Sequence, residues 1–250
     1  MGLMRKTYRY CLIDRRGCVH CGCTQFEQMR VIDDNLAIAW GLSKRERKWL
    51  DRREGSRCRD CGMSKRVRML LWSIKKLYPF CSDLKILHLN QTNALGLPLK
   101  KLGQLTETVY YPDKPFESIV NGCLNQDMCQ LKFQDNQFDL VVHSETLEHL
   151  YDYEQALAEV QRVLKPGGFQ VYTVPLLFSR RTRCRIKRDE VRRLVYTLSP
   201  SFHGCQDEFP VIWEFGYDFC DQRTHLISEI HFDNYWRNQT VFALVECKPS

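Results

Sequence analysis

The stretch FDLVVHSETLEHL, residues 138–150, says most about the fold. Its first six residues are mostly apolar, which is typical of a strand that is buried on both faces of a parallel sheet. A turn at Ser144 and a helix that begins near Leu147 are expected to follow. This order places polar side chains at the carboxyl end of a parallel strand, where open α/β sheets bind ligands.

On both sides of this stretch, short β-rich runs alternate with helical ones. The expected strands are Leu84–Leu89, Thr108–Tyr111, Phe138–His143, Phe169–Val174 and Thr240–Glu246. Residues 152–164 have apolar side chains at helical spacing and end at KPGG, so a helix is expected there, and a basic helix is expected over residues 64–77. The sequence therefore predicts an α/β fold with a largely parallel sheet and helices on both faces.

Four cysteines stand in two pairs near the start of the chain. Cys18 and Cys21 have two residues between them, as do Cys58 and Cys61, and a glycine follows each pair. This spacing lets both thiolates of a pair reach one ion about 2.3 Å away. Two pairs complete a closed four-cysteine zinc site, which favours a structural role. His20 and Cys23 are the alternative ligands.

The chain changes in composition near residue 80. It has 250 residues and a formal net charge of +7, and residues 1–70 alone carry 17 basic and 8 acidic side chains. We therefore expect a zinc-binding module with a linking helix over residues 1–80, similar to a zinc ribbon, and a second domain over residues 81–250. No apolar run is long enough for a membrane span and no secretion signal is evident, so a cytoplasmic protein without a membrane partner is expected.

A second motif, RVLKPGG over residues 162–168, follows the first one. Together they resemble the motifs of class I S-adenosylmethionine-dependent methyltransferases, and the resemblance covers about residues 83–250. Some bacterial members carry a cysteine-knuckle module in front and a Leu-His-hydrophobic sequence in the first strand, which residues 87–89 match. The resemblance implies a Rossmann-like sheet, S-adenosylmethionine as cofactor and methyl transfer as the reaction.

The resemblance also assigns the cofactor contacts. Asp113 would accept hydrogen bonds from the ribose hydroxyls, Asp127 would accept one from the adenine amino group, and Met128 would lie on the adenine ring. The full set of assigned contacts is His88, Leu89, Asn90, Thr92, Asp113, Asp127, Met128 and Ser144.

The cofactor loop departs from the family at its glycines. Asn90, Thr92 and Ala94 stand where the family has Gly-x-Gly-x-Gly. Glycines let the backbone approach a ligand closely. Their absence means either a loop that gives the cofactor more room or a site that no longer binds it.

Methyl transfer needs a base only if the acceptor must lose a proton, and histidine has a suitable pKa. His203, in the element SPSFHG, and His149 are the candidate catalytic residues, followed by His143 and Glu145.

The sequence says less about the methyl acceptor than about the cofactor. Residues 180–193 contain eight basic and two acidic side chains, which indicates either a lid that receives an anionic acceptor or a solvated helix. The charged spacer around Trp40 and Trp49 is interpreted as a helical segment that packs on the second domain through these two rings.

Three hypotheses follow. The leading one is a methyltransferase for a small-molecule or glycan-linked acceptor. The second is a catalytically silent scaffold with the same fold. The third is a nucleic-acid methyltransferase that uses the basic N-terminal face. SET at residues 144–146, where base-methylating enzymes carry Asn/Asp-Pro-Pro-Tyr/Phe, disfavours the third.

Overall fold

The computed structural model describes residues 17–90, 93–191, 193–203, 209–222, 227–236 and 239–249. The helices are α1 (Asp34–Ala39), α2 (Lys44–Gly55), α3 (Lys65–Leu77), α4 (Asn93–Lys100), α5 (Tyr153–Val163) and α6 (Asp218–Gln222), with a 3-10 turn at Leu147–His149. The first eight strands are β1 (Phe26–Gln28), β2 (Ser56–Cys58), β3 (Leu84–His88), β4 (Gly103–Val109), β5 (Ile119–Val120), β6 (Cys123–Asn125), β7 (Phe138–Ser144) and β8 (Leu164–Thr173). The others are β9 (Arg183–Cys184), β10 (Ile186–Arg188), β11 (Leu194–Tyr196), β12 (Phe202–His203), β13 (Phe209–Pro210), β14 (Trp213–Glu214), β15 (Ile227–Trp236) and β16 (Gln239–Cys247).

Eight strands form the central sheet, in the order β15-β16-β8-β7-β3-β4-β6-β5. The five strands from β8 to β6 run parallel to one another. The hairpin of β15 and β16 is antiparallel to β8 at one edge, and β5 is antiparallel to β6 at the other. The carboxyl ends of the parallel strands therefore meet along one edge of the sheet.

Helices cover both faces of the sheet, because side chains alternate along each strand. On β7, Val142 packs on one face with Leu70 of α3 and Leu95 of α4. Its neighbour Val141 packs on the other face with Leu157 of α5. The predicted α/β, Rossmann-like architecture is confirmed. Among the described residues, no helix has the length and apolar character needed to cross a bilayer.

The predicted strands and the helices predicted over residues 64–77 and 152–164 are present with shifted ends, whereas the helix predicted to begin near Leu147 is a 3-10 turn over Leu147–His149. The second expected strand begins at Gly103, earlier than predicted, and the long edge strand β15 was not predicted. Helix α3 begins after Ser64, whose side chain accepts a hydrogen bond from the backbone N–H of Val67. Helix α3 follows the cysteine pairs in the sequence, but it packs directly on the sheet. It is therefore part of the helix layer that covers one face of the sheet.

The N-terminal helices hold the segment that follows β8. Trp40, at the end of α1, is buried with Leu177 and Val211 of that segment. Its indole Nε1 donates a hydrogen bond to Ser201 Oγ over 2.7 Å. Trp49 of α2 packs against the same cluster and against the core on the α5 face. The anchoring role predicted for the two tryptophans is confirmed.

Replacement of Trp40 with alanine tests this docking. It removes a ring that is 4% exposed, and we expect a loss of about 3–5 kcal/mol in the free energy of unfolding, measured by urea denaturation. Ile38, on the same helix, is 78% exposed. Ile38→Ala should change stability by about 0.5 kcal/mol or less. Equal effects of the two substitutions would contradict the docking.

Candidate cofactor site and metal centre

The four cysteines of the two pairs meet at one point. The Sγ atoms of Cys18 and Cys61 are 3.6 Å apart, and those of Cys21 and Cys58 are 3.5 Å apart. All four sulfurs lie within 4.8 Å of one another. A tetrahedron of thiolates around zinc, with bonds of about 2.3 Å, has edges of about 3.8 Å, so the arrangement fits the ion. Cys23 lies outside this cluster, and its thiol contacts Gln25.

The two cysteine pairs lie in two tight turns of the same kind. The backbone N–H of Gly22 donates to the carbonyl of Cys18 over 2.8 Å, and that of Gly62 donates to Cys58 over 2.9 Å. Both glycines have left-handed backbones, with φ of 76° and 70°. This is the conformation that glycine adopts at least cost, and it explains the glycine after each pair.

The cofactor loop keeps one property of the missing glycines. Asn90, two residues after the end of β3, has a φ of 52°. Asparagine tolerates this left-handed conformation better than most residues. The backbone at the first glycine position therefore has a conformation typical of glycine, although the residue differs. Thr92, the second predicted loop contact, lies outside the described residues.

Two arginines from the N-terminal helices reach the carboxyl ends of β7 and β8. Arg53 of α2 donates from Nη2 to Glu145 Oε1 over 2.7 Å and to the carbonyl of Val174 over 2.9 Å. Arg66 of α3 donates from Nη1 to Ser144 Oγ. The predicted cofactor residue Ser144 is therefore in contact with the N-terminal part of the chain.

Arg53 lacks the hydrogen bonds that its burial demands. Its side chain is 1% exposed and lies against the rings of Trp49 and Phe242. Its Nε lies 3.3 Å from Glu54 Oε1 in an ion pair without a hydrogen bond, and its Nη1 has no hydrogen-bond partner within the described residues. Buried donors without partners are rare in folded proteins, and they point to a group that joins them on binding.

Glu148 is the second buried group without a partner. Its carboxylate oxygens have no hydrogen bond in the described part of the chain, and Oε1 lies 3.8 Å from His149 Nε2. Burial, reinforced by the charge of Glu145, raises the pKa of Glu148 well above its usual range despite Arg53 and Arg66. Burial therefore favours the protonated form of this side chain.

His149 is half-buried beside β13. Its Nδ1 lies 2.9 Å from the carbonyl oxygen of Pro210. Because a carbonyl can only accept, Nδ1 carries the proton in the neutral ring and Nε2 keeps the lone pair. Burial lowers the pKa of His149, against the effect of Pro210. The backbone of His203 pairs with Phe209, and its side chain lies outside the described structure.

Two of the predicted contacts are core residues at the end of β3. His88 is 1% exposed, and burial lowers its pKa to about 4 although Glu107 Oε1 is 3.7 Å from its Nδ1. Leu89 is 2% exposed and packs in the core on the α5 face. The side chain of His143 is also buried, stacked on Tyr172.

Asp113 and Asp127 lie near one phenol, that of Tyr110. Partial burial raises the pKa of Tyr110, and the nearby charge of Asp127 and the weaker effect of Asp113 raise it further. Asp113 is exposed, whereas Asp127 is half-buried and accepts the backbone N–H of Cys129 over 2.8 Å. Met128, between them and the core, is 4% exposed. Asp113 and Asp127 thus both act on the phenol of Tyr110, while Met128 belongs to the core on the α5 face.

The basic segment 180–193 is not a helix, since it contains β9 and β10. Three of its arginines surround the fully buried carboxylate of Glu214. Arg183 contacts it at 2.5 Å, Arg180 at 3.6 Å, and Arg185 directly. These three side chains are thus engaged in structural ion pairs.

The positions of Arg53, Arg66 and Glu148 at the edge of the sheet are not evident from the sequence. Glu148 stands inside the motif of residues 138–150, but nothing in the motif shows that its carboxylate is buried without a partner. The two arginines belong to a charged segment, and only the packing of α2 and α3 brings them to the sheet.

A family model described as a methyltransferase domain matches residues 99–172, under a third of the chain. The sterol 24-C-methyltransferase of Aspergillus fumigatus is 35% identical over 89 residues, which are 35% of this chain and 23% of that protein. The demethylmenaquinone methyltransferase of Staphylococcus aureus is 49% identical over 45 residues, 18% of this chain and 19% of that one. The chain spans less than a quarter of the length of these curated relatives.

Solved structures are similar over a larger share. The 1,6-didemethyltoxoflavin-N1-methyltransferase of Burkholderia thailandensis, with 1,6-didemethyltoxoflavin and S-adenosylhomocysteine bound, is 11% identical with a TM-score of 0.48, over 74% of this chain and 78% of that one. A protein of Pyrococcus horikoshii is 17% identical with a TM-score of 0.45, over 76% and 94%. The family match confirms the resemblance to class I S-adenosylmethionine-dependent methyltransferases that the two motifs carry.

Replacement of Glu148 with glutamine tests whether the pKa of the Glu148 carboxyl is raised in the folded protein. The pKa of Glu148 is raised in the folded protein, so the unfolded carboxyl, with a pKa of about 4.3, ionises first as pH rises. The wild type therefore loses stability as pH rises above that value. Glu148→Gln removes this loss. We expect a melting temperature above that of the wild type, by a margin that is larger at pH 8 than at pH 5, at about 2–4 °C for each kcal/mol.

The exposed Glu190 provides the control for this measurement. Glu190→Gln should leave the melting temperature unchanged at both pH values. A pH-independent effect of Glu148→Gln would mean that the Glu148 carboxyl ionises in the folded protein.

Proposed function

We propose that this chain is an S-adenosylmethionine-dependent methyltransferase that acts on a small-molecule or glycan-linked acceptor. The observation that carries the proposal is the group of buried polar atoms without partners at Arg53 and Glu148, next to Ser144 at the carboxyl end of β7. This edge is where an open α/β sheet binds its ligand. The left-handed backbone of Asn90 supports the same assignment, because it leaves the loop after β3 in a conformation typical of glycine.

In this proposal the cofactor lies across the carboxyl ends of β3, β4 and β7. Its adenosine end would contact Asp113 and Asp127, whose charges both act on Tyr110, and the buried Met128. A carboxylate suits a ribose because it can accept hydrogen bonds from both hydroxyls. The rest of the cofactor would contact the backbone at residues 89 and 90 and the residues next to Ser144. His88 would act through its position under the loop, since it is almost fully buried.

The cofactor supplies a methyl group on a sulfonium, so the chain has mainly to align the acceptor and exclude water. If the acceptor carries a proton, His149 can take it. Its ring is neutral, and the carbonyl of Pro210 holds the proton on Nδ1, so Nε2 would take the acceptor's proton. The acceptor would then use the freed electron pair to bond the methyl carbon, whose bond to sulfur would break and leave its electrons on that sulfur. His203 remains the second candidate for this role.

The known acceptors of relatives support a small molecule. The relatives named above methylate a sterol, demethylmenaquinone and a didemethyltoxoflavin, according to their names. Their acceptors differ widely, so they support the class and not a compound. An anionic acceptor loses part of its support, because Arg180, Arg183 and Arg185 are engaged with Glu214.

Calorimetry with S-adenosylhomocysteine tests the function through the loop. We expect the wild type to bind this product analogue with a micromolar dissociation constant. Asn90→Gly keeps the left-handed backbone and should bind within a few-fold of the wild type. Asn90→Val forces a β-branched residue into that conformation and should weaken binding by about tenfold or more. A wild type that fails to bind at millimolar concentration would contradict the proposal and favour a silent scaffold.

We also propose that Cys18, Cys21, Cys58 and Cys61 bind one structural zinc ion, within a module that spans residues 1–80 ahead of methyltransferase-like residues 81–250. The support is the approach of the four sulfurs to within 4.8 Å of one another. Four thiolates leave no open position on the ion. Zinc would therefore fix the turns that precede β1 and follow β2.

Metal analysis of two cysteine variants tests the zinc site. The purified wild type should contain about one zinc per chain. Cys58→Ser should lose it and unfold at a lower temperature, because metal binding is coupled to folding. Cys23→Ser, at the neighbouring cysteine outside the cluster, should keep it. Wild-type protein without zinc, or zinc retained by Cys58→Ser, would contradict the site.

A further inference from the structure

The hairpin of β10 and β11 exposes a group of apolar side chains. Its two strands pair with each other, and within the described part of the chain no third strand joins them. Ile186 is the one buried residue of the two strands. The exposed apolar side chains are those of Val191, Leu194, Val195 and Tyr196. A group of exposed apolar side chains on a two-stranded ribbon indicates contact with another surface.

A hydrogen-bonded turn fixes the tip of this hairpin. Asp189 Oδ1 accepts the backbone N–H of Val191 over 3.0 Å and that of Arg193 over 2.8 Å. Its Oδ2 accepts a hydrogen bond from Arg193 Nε over 2.9 Å. The carboxylate of Asp189 is therefore used within the turn, while the side chain of Val191 is 67% exposed.

Basic side chains accompany the aliphatic ones on both faces of the hairpin. Lys187 lies directly opposite Val195, and Arg188 lies opposite Leu194. Directly opposed residues of antiparallel strands share a face, so each face carries one basic and one aliphatic side chain. Both basic residues are exposed, unlike Arg185, which is buried against Glu214.

The hairpin lies beside the residues that border the proposed acceptor site. The Cζ atom of Arg188 is 4.2 Å from the ring centroid of Tyr151. Burial raises the pKa of Tyr110, and the charge of Arg188 opposes that shift. The exposed Phe209 of β13 lies 5.9 Å, between ring centroids, from His149. Exposed apolar residues of two hairpins therefore flank residues 149–151.

The chemistry of the hairpin defines the surface that fits it. Binding of single-stranded nucleic acid combines basic side chains with aromatic rings on which bases stack, whereas the apolar side chains here are mainly aliphatic. At a lipid bilayer, aliphatic side chains enter the boundary of the acyl region and neighbouring Lys and Arg reach anionic headgroups. Charge and apolar character together favour an anionic membrane surface.

We propose that the β10–β11 hairpin docks this protein on an anionic lipid bilayer. Val191 and Leu194 enter the boundary of the acyl region, while Lys187 and Arg188 lie among the headgroups. The contact is peripheral and requires no membrane-spanning helix, and it revises the sequence-based expectation of no membrane partner. The inference goes beyond the proposed function and does not depend on methyl transfer. Its consequence is that the side of the molecule with His149 lies close to the bilayer.

Vesicle flotation tests the docking. The probes are vesicles of phosphatidylcholine alone and vesicles in which about one third of the lipid is phosphatidylglycerol. The wild type should float with the anionic vesicles and much less with the neutral ones, and added salt should reduce the bound fraction. A wild type that floats with neither kind would overturn the proposal.

Substitutions separate the apolar contribution from the charged one. The double variant Val191→Ser, Leu194→Ser should weaken binding to anionic vesicles by about tenfold or more, because it removes two aliphatic contacts. Lys187→Gln should weaken it by about fivefold. The matched controls are Leu97→Ser, at a residue of α4 that is 69% exposed, and Lys101→Gln, at an exposed residue after α4. Both controls should bind as the wild type does.

Glu190→Gln gives a test in the opposite direction. Glu190 is exposed beside Val191 and places a negative charge at the tip. Its removal should strengthen binding to anionic vesicles by about fivefold, and a gain of binding cannot result from a folding defect. Binding that is unchanged or weaker in this variant would contradict the proposed position of the tip.

Two further outcomes would overturn the inference. Unchanged binding by the double variant, with a loss in Lys187→Gln, would show attraction to any polyanion without entry into lipid. Absence of vesicle binding, together with self-association of the wild type that the double variant loses in analytical ultracentrifugation, would show that a second copy covers the hairpin. Neither outcome bears on the proposed function, which the calorimetry with S-adenosylhomocysteine tests separately.

Discussion

The buried guanidinium of Arg53 is the contact on which the arrangement of this molecule depends. It comes from α2, yet it ends between Glu145 and the carbonyl of Val174, at the carboxyl ends of two sheet strands. Removing either partner of such a buried pair leaves an unpaired charge, which costs about 3–5 kcal/mol. The backbone of Glu145 is left-handed, with φ of 51°. The cysteine-rich part of the chain and the edge of the sheet are thus fixed relative to each other.

This constraint explains why three separate segments meet at one edge of the sheet. Glu54, next to Arg53, orients Arg66 at the start of α3. Helices α1 and α2 also hold the segment after β8, through Trp40 and through the ion pair of Arg180 with Glu46. Within that segment, the ion pairs of Glu214 with Arg183 and Arg185 hold distant residues together. A metal bound by the four cysteines, as we propose, would stabilise the turns from which these helices extend, and through them the edge of the sheet and the segment after β8.

Local sequence patterns were sufficient for most of the fold. The apolar run of β7 and the KPGG sequence after α5 are properties of short segments, so periodicity and turn chemistry predict them. The cysteine pairs were equally predictable, because their spacing is set by the ion. The edge strand β15 was missed, since its pairing with β16 depends on a partner and not on its own pattern.

The site was less predictable than the fold. The motifs indicate where a cofactor would lie, but the positions of Arg53, Arg66 and Glu148 depend on tertiary packing between distant segments. The basic stretch of residues 180–193 shows the same limit. Its charge suggested an anionic acceptor, and the structure pairs three of its arginines with one glutamate that is remote in sequence. Charge counted along a chain does not show which side chains remain available.

The central claim is that the N-terminal helices and the sheet edge form one cofactor site. Hydrogen–deuterium exchange with and without S-adenosylhomocysteine tests it most directly, because protection reports local stabilisation by a bound ligand. The account predicts that the ligand slows exchange in two separate segments, residues 53–68 and residues 141–150. Protection confined to the sheet residues, with exchange unchanged over residues 53–68, would contradict it.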